Sequence, residues 1–338
     1  MDHHSEKSAA LREMADRFPA GQAPPPLPPL PPLPPVVPAE GQTEKDWLAA
    51  VARVRAQHDI AALEGNRLSG YDDRERVAVG SVTFHQVPVP GGGTVTARAY
   101  RPEGPGPFPA VMVLHGGAWW LAGGAVNFDA NDITCRRTCV DAGVIVVNLD
   151  HRLAPEYPWP HQTDDVLAGL RWLAADPDGL GIAGDRLAVL GMSSGGNLAA
   201  SAVLQTHLSG GPQVRVQVLQ AAPLDLTGGS ESLATDPVFA MIAPLVRDIY
   251  LQGRVEPSDP RVSPLLAEDL AGMPPTALFV GTEDALRDDS RRYAARLKEA
   301  GVPVELHEFV MAHSIAPEEV VDAVFALTAK TLRQYLHD

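Results

Sequence analysis

The pentapeptide Gly191-Met192-Ser193-Ser194-Gly195 constrains this 338-residue chain most, because of what flanks it. The β-forming run Leu187-Ala188-Val189-Leu190 comes directly before it, and a helix-forming run through Asn197-Leu198-Ala199-Ala200 directly after. A strand that turns into a helix this sharply needs small residues two before and two after the turning serine, so that the backbones can pass. Gly191 and Gly195 meet that need. The bend lifts the Ser193 hydroxyl above the carboxyl edge of a sheet and sets the Ser194 backbone N–H at the positive end of the helix. A G-x-S-x-G alone is weak in a chain with 30 glycines; its setting makes a plain turn the poorer reading.

The rest of the chain supplies the sheet that such a bend requires. Apolar runs at Ala110 to Leu114, Val144 to Leu149, Val214 to Gln220, Thr276 to Val280 and Val304 to Phe309 alternate with helical patterns at Thr163 to Ala175, Gly195 to Leu208, Arg287 to Ala300 and Pro317 to Leu336. Continuous apolar strands separated by helices predict a mostly parallel sheet covered on both faces. Val77 to Val89 and Thr94 to Tyr100, joined by Pro90-Gly91-Gly92-Gly93, predict an antiparallel hairpin at its entry. Thr43 to Leu63 has apolar residues at helical spacing, with Thr43 placed to cap and Glu44 and Asp46 in the first turn. Residues 24–38 hold ten prolines with Leu27, Leu30 and Leu33 between them. A polyproline II helix would line up those leucines on one edge, to rest on the body or on a partner; a stiff spacer is the favoured reading.

A second chemical signal is His115-Gly116-Gly117-Ala118-Trp119-Trp120, directly after the strand Ala110 to Leu114. Glycines there let backbone amides approach a substrate oxygen, and each donor aimed at a developing oxyanion lowers a barrier by roughly 3 kcal/mol. Gly179-Leu180-Gly181-Ile182-Ala183-Gly184 matches G-x-G-x-x-G but precedes a strand, so it reads as a helix-to-strand loop and not as a dinucleotide site. No P-loop, H-E-x-x-H or Cys/His zinc pattern occurs, and neither metal nor cofactor is expected.

Four blocks, His115 to Trp119, His151-Arg152-Leu153-Ala154-Pro155-Glu156, Gly191 to Asn197 and Glu283-Asp284-Ala285-Leu286-Arg287-Asp288, resemble in order and spacing the hormone-sensitive-lipase-like branch of the α/β-hydrolases, bacterial carboxylesterases. The resemblance runs from about residue 75 to the C-terminus. It implies an α/β-hydrolase fold with a mostly parallel sheet of about eight strands and a helical cap. It also implies acyl transfer through a covalent acyl-enzyme. Carried over residue by residue, the nucleophile is Ser193, the acid Asp284 and the base His313. Gly116, Gly117, Ala118 and Ser194 are the oxyanion-hole candidates, with Gly117, Ala118 and Ser194 expected to donate. Asp288 is the rival acid, but it would fall inside the following helix. The expected division is an N-terminal cap segment at residues 1–75 and a catalytic domain at 76–338, with 226–258 adding to the cap. Trp119, Trp120, His151 and Met192 are the pocket candidates.

The chain departs from the family pattern near the site: Met192 replaces an acidic residue, Ala118 a third glycine, His151 a tyrosine, and Ser314-Ile315 a Gly-Phe. Ala118 matters only if that position needs a positive φ. The expected activity is hydrolysis of a small or medium carboxylic ester. The departures keep non-hydrolytic acyl transfer, cyclisation or elimination open, and a ligand-binding protein on a retained hydrolase fold is the reading from another class.

A net charge of −15 repels phosphate backbones, so nucleic acid is not an expected partner. No run approaches the ~20 apolar residues of a membrane span. Cys135 and Cys139, four apart in a helix, suit two free core thiols better than a bridge, and a cytoplasmic setting follows. The expected partner is a small-molecule ester, and a homodimer is left open.

Overall fold

The computed structural model describes residues 31–69, 71–313 and 316–337. The proline-rich stretch up to Leu30, Ser314 and Ile315 lie outside the described residues. Eight strands form one sheet: β1 (Ser81–Pro88), β2 (Thr94–Arg101), β3 (Phe108–Leu114), β4 (Ile145–Leu149), β5 (Ile182–Met192), β6 (Val214–Gln220), β7 (Thr276–Gly281) and β8 (Val304–Phe309). Their spatial order is β1-β2-β4-β3-β5-β6-β7-β8. The hairpin enters antiparallel, β2 joins β4 antiparallel, and every later pairing is parallel.

Side-chain alternation along the central strands feeds two cores. Met112 and Leu114 of β3 with Leu187 and Val189 of β5 pack on one face, with Leu170 of α4 (His161–Ala175), Leu198 of α5 (Ser194–Ser209) and Leu297 of α8 (Arg287–Glu299). Val111 and Val113 with Ala188 and Leu190 pack on the other, against Cys135 and Cys139 of α3 (Asp132–Ala142) and Leu332 of α9 (Glu318–Leu336). The period of two is what a strand buried on both faces imposes. Both cysteines are free, and burial raises both thiols above their ordinary range, which makes them packing residues. Among the described residues no helix is long and apolar enough to cross a membrane.

The G-x-G-x-x-G segment differs from its expected loop conformation. Ile182, Ala183 and Gly184 already belong to β5, where Ile182 pairs with Phe108. The spacer reading of the proline-rich segment also fails for its described part. Pro35 accepts a hydrogen bond from Trp47 Nε1 at 3.0 Å, and Leu33 packs against Trp120, Ala154 and Ile249. Residues 31–38 therefore lie along α1 (Glu44–Ser69) and on the body beneath it.

Candidate active site

The turn between β5 and α5 bends as the pentapeptide requires. Ser193 has φ 52° and ψ −124°, a conformation that costs an L-residue energy and survives only where the surroundings enforce it. The surroundings here are backbone. A Cβ on Gly191 would sit 2.3 Å from the Gly195 carbonyl oxygen, and one on Gly195 would sit 2.2 Å from that of Leu114. The Ser193 N–H donates to Gln220 O at 2.8 Å, tying the bend to β6. As the residue before α5, Ser193 makes no side-chain cap bond. Its Oγ is 3.1 Å from His313 Nε2.

His313 and Asp284 come from the loops after β8 and β7. The two loops are laced together by Thr282 N–H to Phe309 O at 2.8 Å and Glu283 N–H to Met311 O at 3.2 Å. That lacing sets His313 Nδ1 3.0 Å from Asp284 Oδ2 and 3.2 Å from Oδ1. The Asp284 side chain is fully buried, and its Oδ1 also accepts the Leu286 N–H at 2.8 Å. A buried carboxylate fixes the tautomer with the proton on Nδ1, which leaves Nε2 as an acceptor for the Ser193 hydroxyl. Asp288 is turned away, bonded to the Ser232 N–H at 2.9 Å and to Arg287 Nε at 3.0 Å. Burial would raise its carboxyl, but the Arg287 and Ser232 contacts outweigh it and hold it below its ordinary value. The rival acid thus stays in the first turn of α8.

The loop after β3 carries Gly116, Gly117 and Ala118 to the same edge. Gly117 has φ 114°, and a Cβ there would meet the Leu121 carbonyl oxygen at 2.5 Å. Ala118 does adopt the positive φ at issue, 50°, and Trp119 follows at 63°. The Gly117 carbonyl accepts from Trp120 N–H and Leu121 N–H, which closes the loop. Gly116 abuts Met192 and Ser193, with a built Cβ 3.2 Å from the Met192 carbonyl oxygen. Ser194 is the first residue of α5, where a backbone N–H has no partner inside the helix.

Beneath this loop His115 and His151 stack in parallel, ring centroids 4.1 Å apart. Burial, aided by His151, holds His115 well below its ordinary pKa, so its ring is neutral and Nδ1–H donates to Gly116 O at 2.7 Å. Arg152, next along, forks onto the fully buried Asp165 at 2.5–3.0 Å.

A cavity of about 1370 Å³ opens over Ser193 and His313. Met192 and Trp119 line it, Trp119 with its ring stacked on Tyr250 at 4.6 Å. Trp120 and His151 do not line it. Trp120 is buried under α1, edge-on to His58, and His151 is buried by its stack on His115, so neither ring reaches the cavity. Residues that sequence reasoning missed also line it: Phe239 and Ile242 of α7 (Pro237–Leu251), and Asp59 and Leu63 of α1. The Phe239 ring meets the His313 ring edge-on at 5.1 Å. Asp236, which accepts from Val238 N–H and Phe239 N–H, followed by Pro237, was the readable signal for α7.

Residues 111–316 match a family described as alpha/beta hydrolase fold. The chain is 38% identical over 237 residues to "Carboxylic ester hydrolase LipN" of Mycobacterium tuberculosis, covering 67% of this chain and 61% of that protein. It spans about six tenths of the length of the first curated relatives it matches. Among solved structures it is similar to the thermostable carboxylesterase EstE1, cloned from a metagenomic library, with 32% identity, TM-score 0.76, and 86% and 98% of the two chains covered. A bacterial heroin esterase matches at 32% identity and TM-score 0.75, over 85% and 92%.

Proposed function

The chain belongs to the alpha/beta hydrolase fold family, in its hormone-sensitive-lipase-like branch of bacterial carboxylesterases, and on that premise we propose that it hydrolyses small or medium carboxylic esters. Ser193 is the nucleophile. Its Oγ attacks the ester carbonyl carbon while His313 Nε2 takes the hydroxyl proton, and Asp284 holds the ring and stabilises the imidazolium. The carbonyl oxygen, now negative, accepts hydrogen bonds from the N–H groups of Gly117, Ala118 and Ser194, with Gly116 giving the loop its close approach. His313 returns the proton to the leaving alcohol, and a water activated by the same imidazole then releases the acid from Ser193.

One observation carries this reading: a continuous run of hydrogen-bond distances, 3.1 Å from Ser193 Oγ to His313 Nε2 and 3.0 Å from Nδ1 to Asp284 Oδ2. The relatives named as esterases support the substrate class. In this reading α1 and α7 form a cap over the catalytic domain, and the apolar side chains they give to the cavity hold the ester's acyl or alcohol part. The two buried free thiols fit a cytoplasmic setting.

The test is product analysis in ¹⁸O-labelled water. Hydrolysis puts the label into the released acid, and a fluorophosphonate attaches covalently to Ser193. A new ester, ring or alkene without label would replace hydrolysis with another use of the same residues, and turnover-free binding with no adduct would replace catalysis altogether.

A further inference from the structure

Three L-residues of the oxyanion loop, Ala118, Trp119 and Ala122, have φ between 50° and 65°. L-residues rarely adopt this conformation, so the loop keeps its shape only if outside contacts impose it. The catalytic body supplies some. Ala154 N–H donates to Trp119 O at 3.0 Å, and Trp119 Nε1 donates to Asn197 Oδ1 at 3.3 Å.

Further contacts come from one face of α1. Arg55 Nε donates to Trp120 O at 2.6 Å. The same guanidinium donates to Ala154 O at 2.8 Å and forks onto Glu156 at 2.7 and 2.5 Å. One turn later Asp59 Oδ1 accepts the Ala122 N–H at 2.8 Å. Between them His58 sits edge-on to the Trp120 ring at 5.0 Å. Residues four apart share a helix face, so this spacing places a donor and an acceptor to grip the loop at Trp120 and at Ala122. The Arg55 side chain is mostly buried and its bonds are charge-assisted, which makes the grip stiff.

We propose that Arg55 and Asp59 are positioning residues for the oxyanion hole, holding Trp120 and Ala122 so that the Gly117 and Ala118 amides stay aimed at the developing oxyanion. The inference rests on the functional reading above. Under it α1 does more than cover the cavity, because the donor geometry depends on that helix being docked.

Arg55→Met/Glu156→Gln removes the guanidinium without orphaning a carboxylate, and Asp59→Leu removes the acceptor while keeping bulk. Glu156→Gln alone and Asp59→Asn retain the loop bonds and serve as controls. With p-nitrophenyl butyrate, the first two are expected to lose roughly 10- to 100-fold in kcat with KM within about threefold, because a small misaim at the reacting centre acts on the transition state. Glu156→Gln stays within about threefold of wild type, and Asp59→Asn, which keeps the acceptor, recovers most of what Asp59→Leu loses. Amide hydrogen exchange of residues 116–122 is expected to speed up in the first two and not in the controls, while the β3, β5 and β6 amides keep their protection. Wild-type kcat and loop exchange in both variants would overturn the proposal, as would a loss of activity accompanied by faster exchange throughout the sheet. If the wild type cleaves no ester, the functional reading fails, and the loop exchange alone still decides whether α1 holds the loop.

Discussion

His313 Nε2 and Ser193 Oγ lie 3.1 Å apart although 120 residues separate them in the chain. The contact exists because β8 and β5 end at the same edge of one parallel sheet and because the Asp284 carboxylate fixes the imidazole from behind.

Under the proposed function the Asp284 carboxylate acts through the ring it holds. Asp284→Asn keeps an acceptor for the Leu286 N–H but lets the amide favour the wrong His313 tautomer. The expected result is a fall in kcat on the order of 10⁴ with little change in the thermal midpoint. Steady-state kinetics beside a melting curve checks both, and activity near wild type would remove Asp284 from the mechanism.

Two neighbouring positions of the oxyanion loop respond in opposite directions. At Ala118 the φ of 50° favours glycine, so Ala118→Gly is expected to stabilise the fold by up to about 1 kcal/mol while leaving kcat within about threefold. At Gly117 a methyl would strike the Leu121 carbonyl 2.5 Å away, and Gly117→Ala is expected to cost roughly 100-fold in kcat. Urea unfolding and initial rates separate the two effects.

Asp289 gives the fold a pH dependence of its own. Burial pushes its carboxyl up to about 6, against the Ser230 hydroxyl and the Leu224 and Asp225 N–H groups that bond it. In the unfolded chain such a group titrates near 4. Between these values the folded state holds a proton that the unfolded state lacks. The residue's contribution is therefore fully present below about pH 4 and is lost as pH rises through about 6. Relative to Asp289→Asn, the wild type is expected to lose stability between about pH 4.5 and 6.5 in urea titrations. A flat difference, or a gain, would contradict this.

Trp120 joins α1, the described prolines and the body, with Leu33, Ile249 and His58 around it. Trp120→Ala is expected to destabilise the protein by about 3–5 kcal/mol, read as a lowered urea midpoint.

Much of this arrangement is legible in the amino-acid sequence. β6 and β8 have the bounds expected of them, β6 with a buried centre and β8 as a half-buried strand at the edge of the sheet. The structure brings Ser193, Asp284 and His313 together because each follows a strand, and the strand ends converge in this fold. Sequence spacing did not say which way an aromatic ring points, so Trp120 and His151 were assigned to a cavity that their packing keeps them out of. Arg55 and Asp59 were invisible for a related reason: their partners lie 63 to 101 residues away, and no local pattern marks them. α1 also runs on to Ser69, past the apolar periodicity that ended its predicted span at Leu63.

The most direct test of the account is the initial rate of acid release from p-nitrophenyl butyrate by Ser193→Ala, measured beside wild type on folded protein. The expected rate is at least roughly 10⁴-fold lower, leaving only what binding and the oxyanion donors provide. Turnover at the wild-type rate would contradict it, since the reacting hydroxyl would then have to belong to another residue.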